Sequence, residues 1–303
     1  QPGKAAFAEC DGLTGALRLP EKLTRIEDWA FGYCSGFNNE ELQLPEGLEV
    51  IGDGAFGYCS NLQGKLKFPK KLIGIGIGAF FDCEKLSGVE LPDTLQSIAD
   101  HAFRGCKGLS GNLRLPSDLS SLGRSAFEGC LNLTGGLTIP DGLTVIESCA
   151  FSGCRGFNGK LKLPDTIHSI KDSAFRDCVG FCGRLVLPNR LTTIGTYAFF
   201  NCSGFSDELN LTNCLSLEVI DDSAFSGCSG FDGELKLPIL MDKINNGVFS
   251  GCIRLKGKLK LPPLLKSIGS CAFKDCVSFT GKLKLPVFLE SIESEAFKGC
   301  RGF

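Results

Sequence analysis

The chain has 303 residues, is 43% apolar, and balances 32 Lys and Arg against 34 Asp and Glu for a net charge of -2. That apolar share is enough to bury a core and excludes a disordered chain, while the near-neutral balance excludes a globally basic nucleic-acid binder. No apolar run approaches the length of a membrane-spanning helix.

In chain order, one pattern recurs from end to end. An Ala-Phe pair (Val-Phe before Cys252) is followed, three residues after the Phe, by a cysteine: Cys10, Cys34, Cys59, Cys83, Cys106, Cys130, Cys154, Cys178, Cys202, Cys228, Cys252, Cys276 and Cys300. The spacing is 24 residues with small exceptions. A period this strict leaves no room for a second domain, so residues 1–303 are expected to form a single repeat domain. It begins "QPGKAAFAEC" and ends "AFKGCRGF", both inside a repeat, as a segment of a longer or processed protein would.

Each repeat reads G-x-L-x-L-P-x-x-L-x-x-I-g-x-x-A-F-x-x-C-x-g-F/L. Gly159 permits a sharp entry turn. The alternation that follows predicts a half-buried strand, with Leu161 and Leu163 inward and Lys160 and Lys162 outward. Pro164 has no backbone N–H and ends that strand. A second segment, Leu265 to Ile268 in its copy, points two more apolar residues inward and is expected to pair as a narrower sheet. Ala-Phe then fills the coil, and the last apolar position is Phe37, Phe157, Phe181, Phe205, Phe231, Phe279 or Phe303, with Leu in most other copies. About two dozen residues cannot close a core alone, but stacked copies can. At the inter-strand distance, 13 whole or partial rungs would give a rod roughly 60 Å long. The Gly-rich stretches between strands are too short for ordinary helices, so mostly β and turn is expected, with at most single helical turns near "AFxxC".

The pattern "LxLPxxLxxIgxxAFxxCxxL", as in Leu161–Phe181, resembles the BspA-type (treponemal) leucine-rich repeat, and the resemblance covers essentially the whole chain. It implies a right-handed superhelix with a parallel strand ladder of about 13 rungs. It also implies a cell-surface or secreted protein engaged in adhesion or host-protein binding.

Three copies depart from the period. One residue is missing between Cys83 and Cys106, and one is added between Cys34 and Cys59 near "FNNEEL". Two are added between Cys202 and Cys228, where Thr212 stands at the strand-ending proline and a bulged loop is expected at Thr212–Leu215. Each ladder cysteine occupies a site that suits a small buried apolar residue, so free thiols are expected there, and at Cys149, Cys182, Cys214 and Cys271 as well. With no CxxC and only His101 and His168, neither a zinc site nor any other cofactor is expected. "GIGIG" at Gly74–Gly78 falls in repeat register rather than opening a helix, and Asp221–Asp222 alternate in direction. Nothing in the chain pairs a nucleophile with a base, so no enzyme is expected.

What remains is surface. The outward strand positions are Arg18, Gln43, Lys67, Glu90, Arg114, Thr138, Lys162, Val186, Asn210, Lys236, Lys260 and Lys284, and Lys160, Lys258 and Lys282 add charge one position before the first leucine. Lys160, Lys162, Lys236, Lys258, Lys260, Lys282 and Lys284 are therefore the candidate partner-binding residues. An opposite corner, including Asp28, Asp53, Asp100, Asp172, Asp222, Glu293 and Glu295, is acidic. One reading is an anionic partner, an acidic protein surface or a glycan, lying along the strands. The other is that lysines keep an exposed sheet from sticking. Aromatic residues outside the core form no evident sugar-stacking stripe, and Asn132, Asn201 and Asn210 begin N-x-S/T triplets. The expected function is a non-catalytic adhesion or recognition module, and the competing one is a scaffold that stacks head to tail or docks into an assembly through uncapped ends.

Overall fold

The computed structural model describes residues 3–38 and 42–303. Contacts divide the chain into two compact units, Gln1–Leu143 with Cys149–Phe157, and Thr144–Ser148 with Asn158–Phe303. Both are wound from short parallel strands, and no helix occurs among the described residues.

The longest ladders are the narrow ones. In the first unit Arg25–Ile26, Val50–Ile51, Gly74–Ile75, Ser97–Ile98 and Ser121–Leu122 form a five-stranded parallel sheet in chain order. In the second, Val145–Ile146, Ser169–Ile170, Thr193–Ile194 and Val219–Ile220 form a four-stranded sheet, and Lys243–Ile244, Ser267–Ile268 and Ser291–Ile292 a three-stranded one. Register keeps each repeat position over itself: Ile26 lies on Ile51, and Ile170 on Ile194. Five, four and three strands make twelve, hence eleven full windings from first to last. The thirteen rungs counted from cysteines exceed this because the residues around Cys10 supply turns and a single bridge, Gly15 to Phe37, but no strand of the ladder.

The "LxLP" segment, expected to be the main strand, pairs only in short pieces such as Gly64–Lys67 with Leu86–Glu90 and Leu209–Asn210 with Leu235–Lys236. The reason lies at the opposite corner. There the "AFxxC" segment is a run of β-turns whose amides alternate between two acceptors. Ala30, Gly32 and Cys34 donate to the carbonyls of Glu27, Trp29 and Phe31 in their own coil, while Trp29, Phe31 and Tyr33 donate to Asp53, Ala55 and Gly57 of the next. This alternation needs left-handed residues, and Trp29 (φ 56°) and Tyr33 (φ 62°) supply them where later coils use Gly247 and Gly251. A helix cannot form through such residues. Two pinned corners leave the intervening "LxL" stretch free to diverge.

The interior is a pair of side-chain columns. In the first unit Phe7, Phe31, Phe56, Phe80, Phe103, Phe127 and Phe151 stack with centroids 5.2–5.8 Å apart. In the second, Phe175, Phe199, Phe225, Phe249, Phe273 and Phe297 stack at 5.2–6.0 Å. The Phe/Leu column beside it meets these rings edge-on, as Phe205 meets Phe199 at 72°.

The ladder thiols do more than fill space. Cys59 Sγ donates to the carbonyl of Phe31 at 3.0 Å, Cys83 to Phe56 at 3.0 Å, Cys106 to Phe80 at 3.0 Å and Cys252 to Phe225 at 3.2 Å. A small apolar residue would fit the site but leave that second acceptor position empty. Burial pushes the Cys59 thiol up to about 12 and those of Cys83, Cys106, Cys130 and Cys228 well above the ordinary thiol range. Because the thiolate is the reactive form, these groups are inert in the folded chain. With a thiol-selective chromogenic reagent at mildly alkaline pH, Cys182, the exposed cysteine, is expected to react at once. Half-buried Cys10, Cys149, Cys271 and Cys300 follow slowly, and the rest react only on unfolding. Cys182→Ser removes the fast phase; rapid native labelling of a ladder cysteine would contradict the burial.

The departures from period are absorbed locally. The deletion before Cys106 becomes a register shift between Gly64 and Lys65 against Leu86 and Gly88. The insertion near "FNNEEL" falls on Asn39–Glu41, outside the described residues. The predicted loop at Thr212–Leu215 is present, with the Thr212 amide and hydroxyl both donating to Asn210 Oδ1. The proline's place is taken not by Thr212 but by Cys214. Its carbonyl accepts the Leu217 amide as Pro188 accepts that of Leu191, so Thr212–Asn213 are the inserted pair.

Candidate functional site

The seven candidate lysines all lie in the second unit, and they fall into three settings. Lys258, Lys260, Lys282 and Lys284 surround an open depression of about 660 Å³, floored by Leu259, Leu261 and Gly281. It exists because the two segments separate after the isolated Gly257–Phe279 bridge, and residues 258–261 and 282–285 make no strand pair. Gly257 (φ 81°) and Gly281 (φ 89°) turn the chain into these segments in a conformation that favours glycine. Lys160 and Lys162 flank a smaller depression of about 270 Å³ with Arg184 and Val186. Lys236 stands apart: its Nζ lies 2.5 Å from Glu208 Oε2, while Arg184 holds the other oxygen at 2.7 Å. The Lys236 ammonium beside Glu208 holds its carboxyl below the usual carboxylate range.

In two other coils strand-face cations are neutralised by a neighbouring coil, Lys65 by Glu90 and Arg114 by Asp93. The lysines around the two depressions have no carboxylate partner among the described residues. The face is therefore not uniformly basic. Its uncompensated charge is concentrated where the sheet opens, and it attracts anions through water with a range of about 10 Å at moderate salt.

The acidic corner has a structural task that its composition concealed. Asp53 Oδ1 accepts the Ile77 amide at 2.7 Å, Asp100 that of Arg124 at 2.7 Å, Asp172 that of Thr196 at 2.9 Å and Asp222 that of Asn246 at 2.9 Å. Each carboxylate caps a backbone donor of the following coil. Asn246 does the same for Ser270, so the position demands an acceptor rather than a charge.

A row of aromatic residues runs across the first coils of the first unit. Trp29 stacks on Tyr33, Tyr33 on Tyr58 at 4.4 Å, Tyr58 meets Phe81 at 4.9 Å, and Arg104 lies over Phe81 at 5.4 Å. The repeated "FGYC" at 31–34 and 56–59 was its signal. The ring faces are taken up by one another. His101 lies at the end of this stripe, with no hydrogen bond to its buried Nδ1, and His168 is exposed. Neither imidazole hydrogen-bonds a hydroxyl or thiol among the described residues.

A family model described as "BspA type Leucine rich repeat region" matches in 6 copies, over residues 3–110, 36–158, 134–256 and 218–303. No curated protein matches the chain. Among solved structures, a leucine-rich repeat protein from Bacteroides ovatus is 26% identical, with a TM-score of 0.75 over 98% of this chain and 79% of that one. The leucine-rich repeat protein of T. pallidum is 26% identical over 55% of this chain and 77% of its own, at a TM-score of 0.47. A leucine-rich cell surface protein of Faecalibacterium prausnitzii is 21% identical over 92% and 83%, at 0.46.

Proposed function

The chain belongs to the BspA-type leucine-rich repeat family, and from that membership we propose a non-catalytic recognition module that binds an anionic protein or glycan through its strand face at a cell surface or in the secreted milieu. Leucine-rich repeats generally mediate protein interactions, and a wound coil offers an extended surface to a partner. The single observation that carries the reading is the set of unpaired lysines, Lys258, Lys260, Lys282 and Lys284, around one opening in the face. Lysines whose only role was solubility would gain from cross-coil carboxylates as Lys65 and Lys236 do. Four cations left uncompensated at adjacent positions repel one another and gain from an anion laid over them.

Heparin serves as the test polyanion. Binding is expected at low salt and is expected to weaken steeply as salt rises. Replacing all four lysines by glutamine should weaken it by about tenfold or more with an unchanged melting temperature, since the side chains are exposed. Absence of binding by the unaltered chain at low salt would remove the proposal.

A further inference from the structure

One edge of the second unit changes character along the chain. In coil after coil the two residues that follow the strand-ending proline are polar: Asp165–Thr166 and Asn189–Arg190 are examples. In the last four coils the pairs are Leu215–Ser216, Ile239–Leu240, Pro263–Leu264 and Val287–Phe288, and their large apolar side chains point outward. Leu215 is 85% exposed, Ile239 68%, Leu240 72%, Val287 95% and Phe288 61%, with Leu264 at 44% in the coil between. Coils stacked at the inter-strand distance carry these side chains in a line about 15 Å long. A run of large apolar groups this exposed marks an interaction site rather than the scattered apolar surface of any protein.

Lysines flank the line. Lys260 precedes Leu264 by four residues and Lys284 precedes Val287 by three, so each ammonium's backbone lies within about 14 Å of the apolar tips. Lys258, Lys260, Lys282 and Lys284 have no carboxylate partner among the described residues. The surface thus joins an apolar crest to an uncompensated cationic strip.

We propose that this crest docks the protein on an anionic lipid bilayer. Leu240, Leu264, Val287 and Phe288 enter the interface between headgroups and acyl chains, and the neighbouring lysines meet the lipid phosphates. Three features of the surface choose this occupant. The apolar groups protrude from turns instead of lining a groove, so a helix or strand laid there would find no walls, whereas a bilayer supplies its own depth. The cations that precede Leu264 and Val287 on the strand side, Lys258, Lys260, Lys282 and Lys284, are all lysine. Protein interfaces favour the planar fork of arginine and are depleted in lysine. Lysine stems, by contrast, lie along apolar surface while their heads reach the phosphates. A second copy of this chain, paired symmetrically through the crest, would set the unpaired lysines against each other. The inference shares four lysines with the strand-face reading above but does not rest on a protein or glycan partner.

The test is sedimentation of the chain with vesicles of phosphatidylcholine alone and of phosphatidylcholine mixed with phosphatidylglycerol. Binding to the mixed vesicles is expected, with little to the neutral ones and a marked loss at high salt. The variant Leu240→Ser, Val287→Ser, Phe288→Ser should lose about tenfold or more of the vesicle affinity while keeping its melting temperature and its heparin affinity, because serine removes the apolar surface and adds no charge. The glutamine variant at Lys258, Lys260, Lys282 and Lys284 should lose both affinities. Mixed vesicles that do not bind, or that bind the serine variant as well as the unaltered chain, overturn the proposal. So does capture of an acidic amphipathic peptide without vesicle binding, or a concentration-dependent dimer abolished by the serines. Vesicle binding without heparin binding sinks the strand-face reading and leaves this one standing; heparin binding without vesicle binding does the reverse.

Discussion

Phe127→Ala is expected to cost about 3–5 kcal/mol of folding free energy, the range for emptying a fully buried aromatic site. Phe127 is wholly buried, with Phe103 stacked on one face at 5.2 Å and Phe151 on the other at 5.8 Å. Removing the ring therefore breaks two stacked pairs at once and leaves a void between coils whose backbones are held in register. The coils on either side cannot collapse into it, because the Phe127 amide still binds Ala150 and its carbonyl still accepts the Cys130 amide and the Cys154 thiol. Phe7→Ala is the control. Phe7 is 40% exposed and stacks on Phe31 alone, so it should cost less than half as much. In a stacked array each coil is stabilised chiefly by its neighbours. A defect inside the column should therefore also divide the unfolding transition and lower its denaturant slope, which a terminal defect does not. Denaturant titration followed by circular dichroism reads both quantities. Equal costs at the two positions, with an unchanged slope at Phe127, would mean that the column is not what holds the coils together.

Much of this was readable from the residues. The Ala-Phe and cysteine period placed both columns, because stacking at one repeat length puts equal positions over each other whatever the backbone does between them. The two added residues before Cys228 marked their own loop. Other features were hidden by being relations between coils. That the narrow strand carries the longest ladders follows from turn amides that bond alternately within and between coils, and no apolar alternation reports that. The thiol's donor role at Cys106 depends on where the Phe80 carbonyl lies, one coil back. Lys236 looked like its neighbours until Glu208, just before the strand of the previous coil, was seen to neutralise it. The aromatic row is a relation of the same kind, since Trp29 and Tyr33 occupy different places in one repeat and only folding aligns them with Tyr58. Of the candidate binding residues, four gather at one opening and two at another, an arrangement that the sequence could group by charge but not by the parting of the sheet.

The second large effect is expected from a single methyl group. Gly230 follows Cys228 by two residues, and a Cβ built there would lie 2.1 Å from the carbonyl oxygen of Ser203 and 2.3 Å from that of Phe205 in the preceding coil. Gly230 does not have positive φ, so alanine meets no conformational obstacle. By backbone entropy alone Gly→Ala stabilises by about 0.4–1 kcal/mol, and at Gly12, where nothing lies near the added carbon, that gain is expected. At Gly230 the sign reverses. The coils must separate, and overpacking of this kind costs about 1–3 kcal/mol or more. Size is only part of the reason. Where the same position is asparagine or serine, its side chain donates to the equivalent carbonyl: Asn61 Nδ2 to Ser35 at 2.6 Å, Asn132 Nδ2 to Lys107 at 2.9 Å, Ser278 Oγ to Ile253 at 2.7 Å. Those coils have a hydrogen bond to offset the wider approach, and alanine has none. Gly230→Asn and Gly230→Ser should therefore destabilise less than Gly230→Ala, although asparagine is the larger residue. Thermal melts of the three variants and of Gly12→Ala rank them directly. If alanine at position 230 proves milder than asparagine, close approach of the carbonyls does not decide what this position accepts.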